Sequence, residues 1–245
     1  MRRPWQSLRL LLGDRGWLRG FAMESTGFGC YAAAVALASL ALVQSIGAGG
    51  IGVLAYVTAR MAGRRLTGRQ LAGVGLSVLG LVALGVSLIR SSGEGRGGSF
   101  LGALAWILGT LALAVLALWL GRRRDIPAAA DGVAGGLFFS VGDFSTKLVT
   151  QGGVRFAFLI TLVLGYTLGT SLLQLGYQRG TALTVAGLAT LLTNALPIAA
   201  GTIVLAEPVP AGALGGARVL AYVAVTAGAV LLAAPEQGPA RRSAT

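Results

Sequence analysis

Ser99–Arg124 reads SFLGALAWILGTLALAVLALWLGRRR, an apolar run with no charge until it meets three consecutive arginines. A helix rising ~1.5 Å per residue needs about 20 apolar residues to cross a ~30 Å hydrocarbon core, and 99–120 supplies them. Outward from it, comparable stretches lie at 20–41, 42–61, 70–89, 128–150, 156–177, 181–206 and 214–234. The arginines punctuate these stretches unevenly. One alternating set of connecting segments holds Arg2, Arg3, Arg9, Arg15, Arg19, Arg60, Arg64, Arg65, Arg69, Arg122, Arg123, Arg124, Arg179, Arg241 and Arg242. The other holds Arg90, Arg96, Arg155 and Arg218, while Lys147 falls within a span. Under the positive-inside rule, fifteen against four predicts an even number of spans with both termini in the cytoplasm. The expected location is the plasma (inner) membrane.

Composition agrees with this reading. A chain of 245 residues that is 55% hydrophobic and 11% charged is too apolar for a water-soluble domain of its length, and eight spans leave no room for a separate globular unit. The net charge of +12 would suggest nucleic acid in a soluble protein. Here topology and anionic inner-leaflet lipid account for it, so the bilayer is the expected partner and nucleic acid is not. There is no histidine and one cysteine, Cys30. That removes the usual general base at neutral pH, a Ser/His pair, a zinc site and an intrachain disulfide. Neither an enzyme nor a resident cofactor is expected. No signal-peptide pattern is visible. Trp5–Trp17 (WQSLRLLLGDRGW) reads either as a segment lying in the inner headgroup layer or as a basic leader.

The organisation predicted is a basic N-terminal segment over 1–19, a first, incomplete repeat over 20–89, a second repeat over 99–234 and a cytoplasmic tail over 235–245. The Gly-rich polar loop Ser91–Ser99 (SSGEGRGGS) separates the two parts. Leu42-Val43 aligns with Thr184-Val185. With a one-residue gap, Arg64 falls opposite Glu207, Leu66 opposite Val209, and Leu71-Ala72-Gly73 opposite Leu214-Gly215-Gly216. Spans one to three and six to eight then run oppositely through the bilayer. Such an inverted repeat is common among secondary carriers, whose substrate site lies at the repeat interface.

Residues Gln174–Pro208 (QLGYQRGTALTVAGLATLLTNALPIAAGTIVLAEP) carry a family resemblance. A helix containing Pro197 ends in Ala206-Glu207, and a Gly-rich final helix opens with Leu214-Gly215-Gly216. This resembles the last two core helices of the drug/metabolite transporter superfamily, the EamA-like carriers. Trp17, Gly20, the segment Ala32–Val43, Lys147 and Gln174–Tyr177 are similar to the layout of its NIPA-type magnesium transporter branch. The resemblance implies a secondary carrier and makes magnesium one substrate to consider. Two departures stand out. Relatives of both kinds carry one or two further N-terminal helices, so these are expected to be missing here. Arg64 stands where a first-half acidic residue is common, and the branch's Gly-Glu-x-x-Asn motif is not intact, Glu24 lying several residues away.

Polar residues inside apolar spans cost a few kcal/mol on insertion scales and so demand an explanation. Glu24, a turn into the first span, is either favoured by the helix dipole near the interface or a coupling site. Asp143 and Lys147 are four apart on one helix face and can pair, with Ser140 beside them; Thr146, Thr150 and Gln151 add to a wet surface. Pro197 frees the carbonyl of Thr193, and Thr190, Thr193 and Asn194 share its face. Tyr166, Thr167, Thr170, Gln174 and Tyr177 form a stripe at helical spacing. Glu207, ahead of Pro208 and Pro210, is a cap or a gate. Gly165–Gly169, Gly176–Gly180 and Gly212–Gly216 are small-xxx-small motifs, weakly informative among 39 glycines.

The sequence therefore predicts an all-α polytopic membrane bundle of about eight helices with an inverted repeat, acting as a secondary carrier of a small solute or cation. The alternative is a non-transporting membrane subunit that retains a reduced form of the fold. The candidate pathway comprises Gln44, Ser45, Asp143, Lys147, Thr170, Gln174, Tyr177, Thr190, Thr193, Asn194 and Pro197, with Glu24 and Glu207 as candidate coupling or gating residues. A homo-oligomer is compatible with this reading, and no metal-ligand set follows from the residues.

Overall fold

Helix ends in this chain are set by short-range capping chemistry where the sequence supplies it and by distant side chains where it does not. The computed structural model describes residues 13–61, 63, 68–88, 98–180, 182–207 and 212–233. Among them the structure is helical, with eight α-helices and no strand. α1 (Arg15–Leu37) starts at Asp14, whose carboxylate accepts from the amides of Gly16 at 2.7 Å and Trp17 at 3.3 Å. α2 (Leu40–Met61) and α3 (Gly68–Leu88) follow. α4 (Phe100–Arg123) is capped by Ser99, whose hydroxyl accepts from Gly102 N at 2.9 Å. α5 (Pro127–Thr150) opens with a proline, which has no N–H to leave unpaired. A 3-10 turn, Gly153–Phe158, leads into α6 (Leu159–Arg179), then α7 (Ala182–Ile203) and α8 (Ala213–Ala233).

α5 is the hub. It packs most extensively on α6 and α7, then on α4, and along its C-terminal half on α1. Its small residues make this possible. A Cβ on Gly132 would lie 2.8 Å from Val185 O, and one on Gly136 2.8 Å from Ala189 O, so α7 rests almost backbone to backbone on α5. On α6, a Cβ on Gly165 would lie 2.7 Å from Gly142 N. Gly165, Gly169 and Gly176 are all buried against α5 or its surroundings. The third motif behaves differently. Gly212 lies before α8 with φ of 73°, and a side chain on Gly216 would meet open space.

The two ends of α5 each hold a helical hairpin. Near its C-terminus, Lys147 Nζ donates to Val35 O (2.6 Å) and Ala38 O (2.8 Å), the carbonyls at the end of α1. Near its N-terminus, Asp131 pairs with Arg179 of α6 at 2.9 Å, and Ala128 sits against Gly180 in the α6–α7 connection. The α1–α2 and α6–α7 turns thus lie at opposite ends of one helix. One apolar core fills the end nearer the α1–α2 turn, with Val35, Leu40, Ile107, Phe144, Leu148, Phe158 and Leu205. A second gathers Ala114, Ala134 and Leu137 between α4, α5, α6 and α7. Outward faces stay apolar: Leu101, Leu108 and Val115 on α4, Ile160 and Leu164 on α6, and Leu220 and Val223 on α8 are exposed. Among the described residues, three helices are long and apolar enough to cross a membrane: Phe100–Arg123, Gly153–Arg179 and Val185–Ile203.

The structure moves some expected boundaries. The first connection falls at Ala38–Ser39 rather than at 41–42, and α1 starts at Arg15. Arg218, expected at the mouth of the last span, is buried within α8. Residues 1–12 of the basic segment, 91–97 of the Gly-rich loop, the tail 235–245, Arg64, Leu66, Val209, Pro208 and Pro210 lie outside the described residues, as does the side chain of Ser45 on α2.

Candidate functional site

Gly142 lets the Tyr166 ring close on α5, since a Cβ there would sit 3.2 Å from the ring. That approach brings the Tyr166 hydroxyl to Asp143, where it donates to Oδ1 at 2.7 Å. Tyr31, from α1, donates to the same oxygen at 2.9 Å. Gln44 Nε2, from α2, donates to the Tyr31 hydroxyl at 2.8 Å. Four helices therefore converge on one carboxylate that is only 6% exposed. A carboxylate taken out of water is tolerable when hydroxyl donors replace its hydration. Both phenols bond to the same oxygen, Oδ1.

Asp143 lies at the wall of a cavity of about 770 Å³ between α1, α5 and α6. Phe21, Phe28, Tyr31, Phe139 and Tyr166 supply aromatic surface, Leu162 and Val163 aliphatic surface, and Glu24, Ser25, Thr167 and Thr170 polar groups. Phe28 meets Tyr166 edge-on, with centroids 5.6 Å apart and planes at 90°. The lining carries two carboxylates and neither lysine nor arginine. The cavity is open because the first part of α1 stands out from the bundle: between Arg15 and Cys30 every residue but Trp17 is exposed.

Of the residues expected in the pathway, Asp143, Thr170 and the candidate coupling residue Glu24 line this cavity, and Gln44 supports it from behind Tyr31. The expected Asp143–Lys147 pair does not form the site: Asp143 takes the phenols, while Lys147 reaches the two carbonyls at the break after α1. Those carbonyls have no amide one turn ahead and attract the nearest cation. Gln174 and Tyr177 are exposed further along α6 and do not line the cavity. α7 contributes nothing to it either. Asn194 is buried but donates to its own helix at Thr190 O (2.7 Å), Pro197 is fully buried, and Thr193 is half-buried. The polar groups of α6 and α7 thus do not form the single shared patch their spacing suggested.

Glu207 closes the far end of α7. Ala206 adopts φ of 51°, turning the chain so that Glu207 N donates back to Gly201 O at 3.0 Å. The carboxylate then receives Leu40 N at 2.7 Å and Ala41 N at 3.3 Å, capping α2. Cap geometry is what the structure displays at this residue. Thr146 and Thr150 bond to carbonyls of their own helix, while Ser140 Oγ is buried without a hydrogen-bond partner.

Sequence reasoning missed Tyr31 and the Asp131–Arg179 pair, and it saw Tyr166 only as part of a stripe. A phenol inside an apolar helix is a usable signal, because its hydroxyl must find a partner when buried. What the sequence withholds is which carboxylate that partner is. No family model, curated protein or solved structure matches the chain.

Proposed function

We infer that the chain is a polytopic membrane protein and a secondary carrier of the drug/metabolite transporter type, moving a small solute or cation by alternating access. The exposed apolar faces of α4, α6 and α8 support a lipid surround, since a water-facing surface of that kind would drive association. Several features favour an inverted repeat. α2 and α7 each have 22 residues, and α3 and α8 each have 21. α3 packs on α8 and α2 on α7, as paired elements beside a two-fold axis would, and the two helical hairpins hang from opposite ends of α5.

The observation that carries the reading is Asp143: a buried carboxylate beside a cavity, bonded by Tyr31 from the first triplet and Tyr166 from the second. Rocking one triplet against the other would make or break those bonds, which couples ligand at the carboxylate to the conformation of the bundle. The test is electrical recording of solute-evoked flux from proteoliposomes across a panel of cations, including magnesium, and neutral metabolites. A wild-type response that Asp143→Asn leaves intact would overturn the assignment, as would the absence of any response.

The unpacked first half of α1 favours a second reading, a non-transporting subunit whose partner covers that helix. That reading expects no flux and a stoichiometric membrane partner in native purification.

A further inference from the structure

Deepening the carrier reading and resting on it, we propose that the cavity takes an organic monocation, an ammonium-type charge on an apolar body. Three observations converge. The first is charge: in a chain of net charge +12, the cavity is lined by Asp143 and Glu24 with no cationic side chain, so an anion is repelled and a cation drawn in. The second is the wall. Phe28 contacts both Tyr166 (5.6 Å between centroids) and Tyr31 (6.3 Å), and Phe139 lies 6.1 Å from Tyr166. These rings line the cavity together with the carboxylate, and ring faces attract diffuse cations. The third is what is lacking for a hard metal ion. A dedicated protein cage for a hard cation such as calcium gathers several carboxylates and carbonyls, and no group of three His, Cys, Asp or Glu side chains that could hold a metal occurs among the described residues. A neutral sugar would need a denser polar lining than Ser25, Thr167 and Thr170 offer.

The geometry also assigns roles. The Asp143 carboxylate neutralises the charge while the phenols hold it in place through Oδ1. Phe28, joined edge-on to Tyr166 across the α1–α6 gap, covers the apolar body. The volume of about 770 Å³ exceeds what a bare ion requires and is in the range of small-molecule sites, ~300–1,000 Å³.

The test uses the full chain purified in detergent and tritiated benzyltrimethylammonium, with binding read by equilibrium dialysis. Saturable binding is expected, competed by the unlabelled cation but not by neopentylbenzene, its uncharged isostere, nor by magnesium at equal concentration. Phe28→Leu keeps the apolar bulk and removes the ring, and should weaken binding about 3–30-fold. Asp143→Asn should weaken it about 30-fold or more, as loss of one partner of a shielded charge pair does. That variant also disturbs Tyr31 and Tyr166, so the isostere competition in the unaltered chain and Phe28→Leu decide the matter without it. No saturable binding, equal competition by neopentylbenzene, or unchanged affinity in Phe28→Leu would each overturn the cation site. The carrier reading fails separately: cation binding without counterflow in proteoliposomes sinks transport and leaves the site standing. Flux of another solute without cation binding does the reverse.

Discussion

Removing the Glu207 side chain should cost the bundle about 2–4 kcal/mol, concentrated in the first turn of α2. A helix begins with four amides that have no intrahelical acceptor. In α2 the amide of Leu42 finds Ser39 Oγ at 3.3 Å, and Leu40 N and Ala41 N donate to a carboxylate 167 and 166 positions away. Leu40 is 0% exposed and Glu207 6%, so water cannot substitute cheaply. The 2.7 Å bond from Leu40 N is charge-assisted, of a kind worth about 1.5–3 kcal/mol, and it also satisfies the positive end of the helix dipole. The 3.3 Å contact from Ala41 N adds less. Glu207→Gln keeps one acceptor oxygen and loses the charge, so about half the cost of Glu207→Ala is expected.

The assay is reversible unfolding of the purified chain in mixed detergent–SDS micelles, followed by circular dichroism. Gly201 offers an independent approach to the same contact. A Cβ there would lie 2.5 Å from Glu207 Oε2, so Gly201→Ala must push the carboxylate off α2. The double variant with Glu207→Ala should then cost no more than the worse single change, the non-additivity expected of two routes to one interaction. If Glu207→Ala unfolds within about 0.5 kcal/mol of the parent, or if the two costs simply add, the reasoning about this cap is wrong.

Ala206→Gly should stabilise the same corner by about 1 kcal/mol, because Ala206 holds φ of 51°, a conformation disfavoured for L-residues and free for glycine; thermal unfolding reads the change. Gly165→Ala should destabilise by about 1–3 kcal/mol, since its Cβ would meet backbone at Gly142 N and Phe138 O that can move only by parting α5 from α6; an unchanged midpoint would contradict that contact. Tyr166→Phe removes one donor to Asp143 while keeping the ring, so flux should fall with little loss of helicity, measured in parallel by uptake and circular dichroism. Reporter fusions after Gly95 and Gly238 should signal opposite compartments, periplasm and cytoplasm; the same compartment for both would break the proposed topology.

Helix content was legible because long apolar runs punctuated by arginine admit little else in lipid. The first connection was not. Around Ala38–Ser39 the sequence runs Ala, Leu, Val and Ser without glycine or proline, and the break is held by Lys147 and Glu207, both remote in sequence. Local signals cannot announce a turn whose caps are tertiary. Gly165 and Gly176 had the opposite problem. Their motif is written in the sequence, but so is Gly212–Gly216, and spacing alone does not say which one meets a neighbouring backbone. The site divided in the same way. Asp143 drew attention because a carboxylate in an apolar helix is costly, yet the partner inferred from helical spacing, Lys147, was claimed by unpaired carbonyls at the end of α1.

That competition suggests how to sort charges in a chain like this. Lys147 and Glu207 serve the α1–α2 turn from its two sides, one on carbonyls ending a helix and one on amides starting the next. Arg179 and Asp131 tie the last turn of α6 to the beginning of α5. Each of these charges answers a structural demand near a helix terminus, where backbone groups or a neighbouring chain end lack partners. Asp143 does not. It sits about two turns from the end of α5, where the backbone is already paired, and it bonds hydroxyls beside a cavity. Lys147→Met should lower unfolding stability by about 1–3 kcal/mol while the surviving folded fraction still binds and transports. Asp143→Asn should do the opposite, losing flux with the larger part of its stability intact. If the two variants behave alike, the location of a charge relative to helix ends says nothing about its role here, and the case for Asp143 as the ligand-bearing residue falls with it.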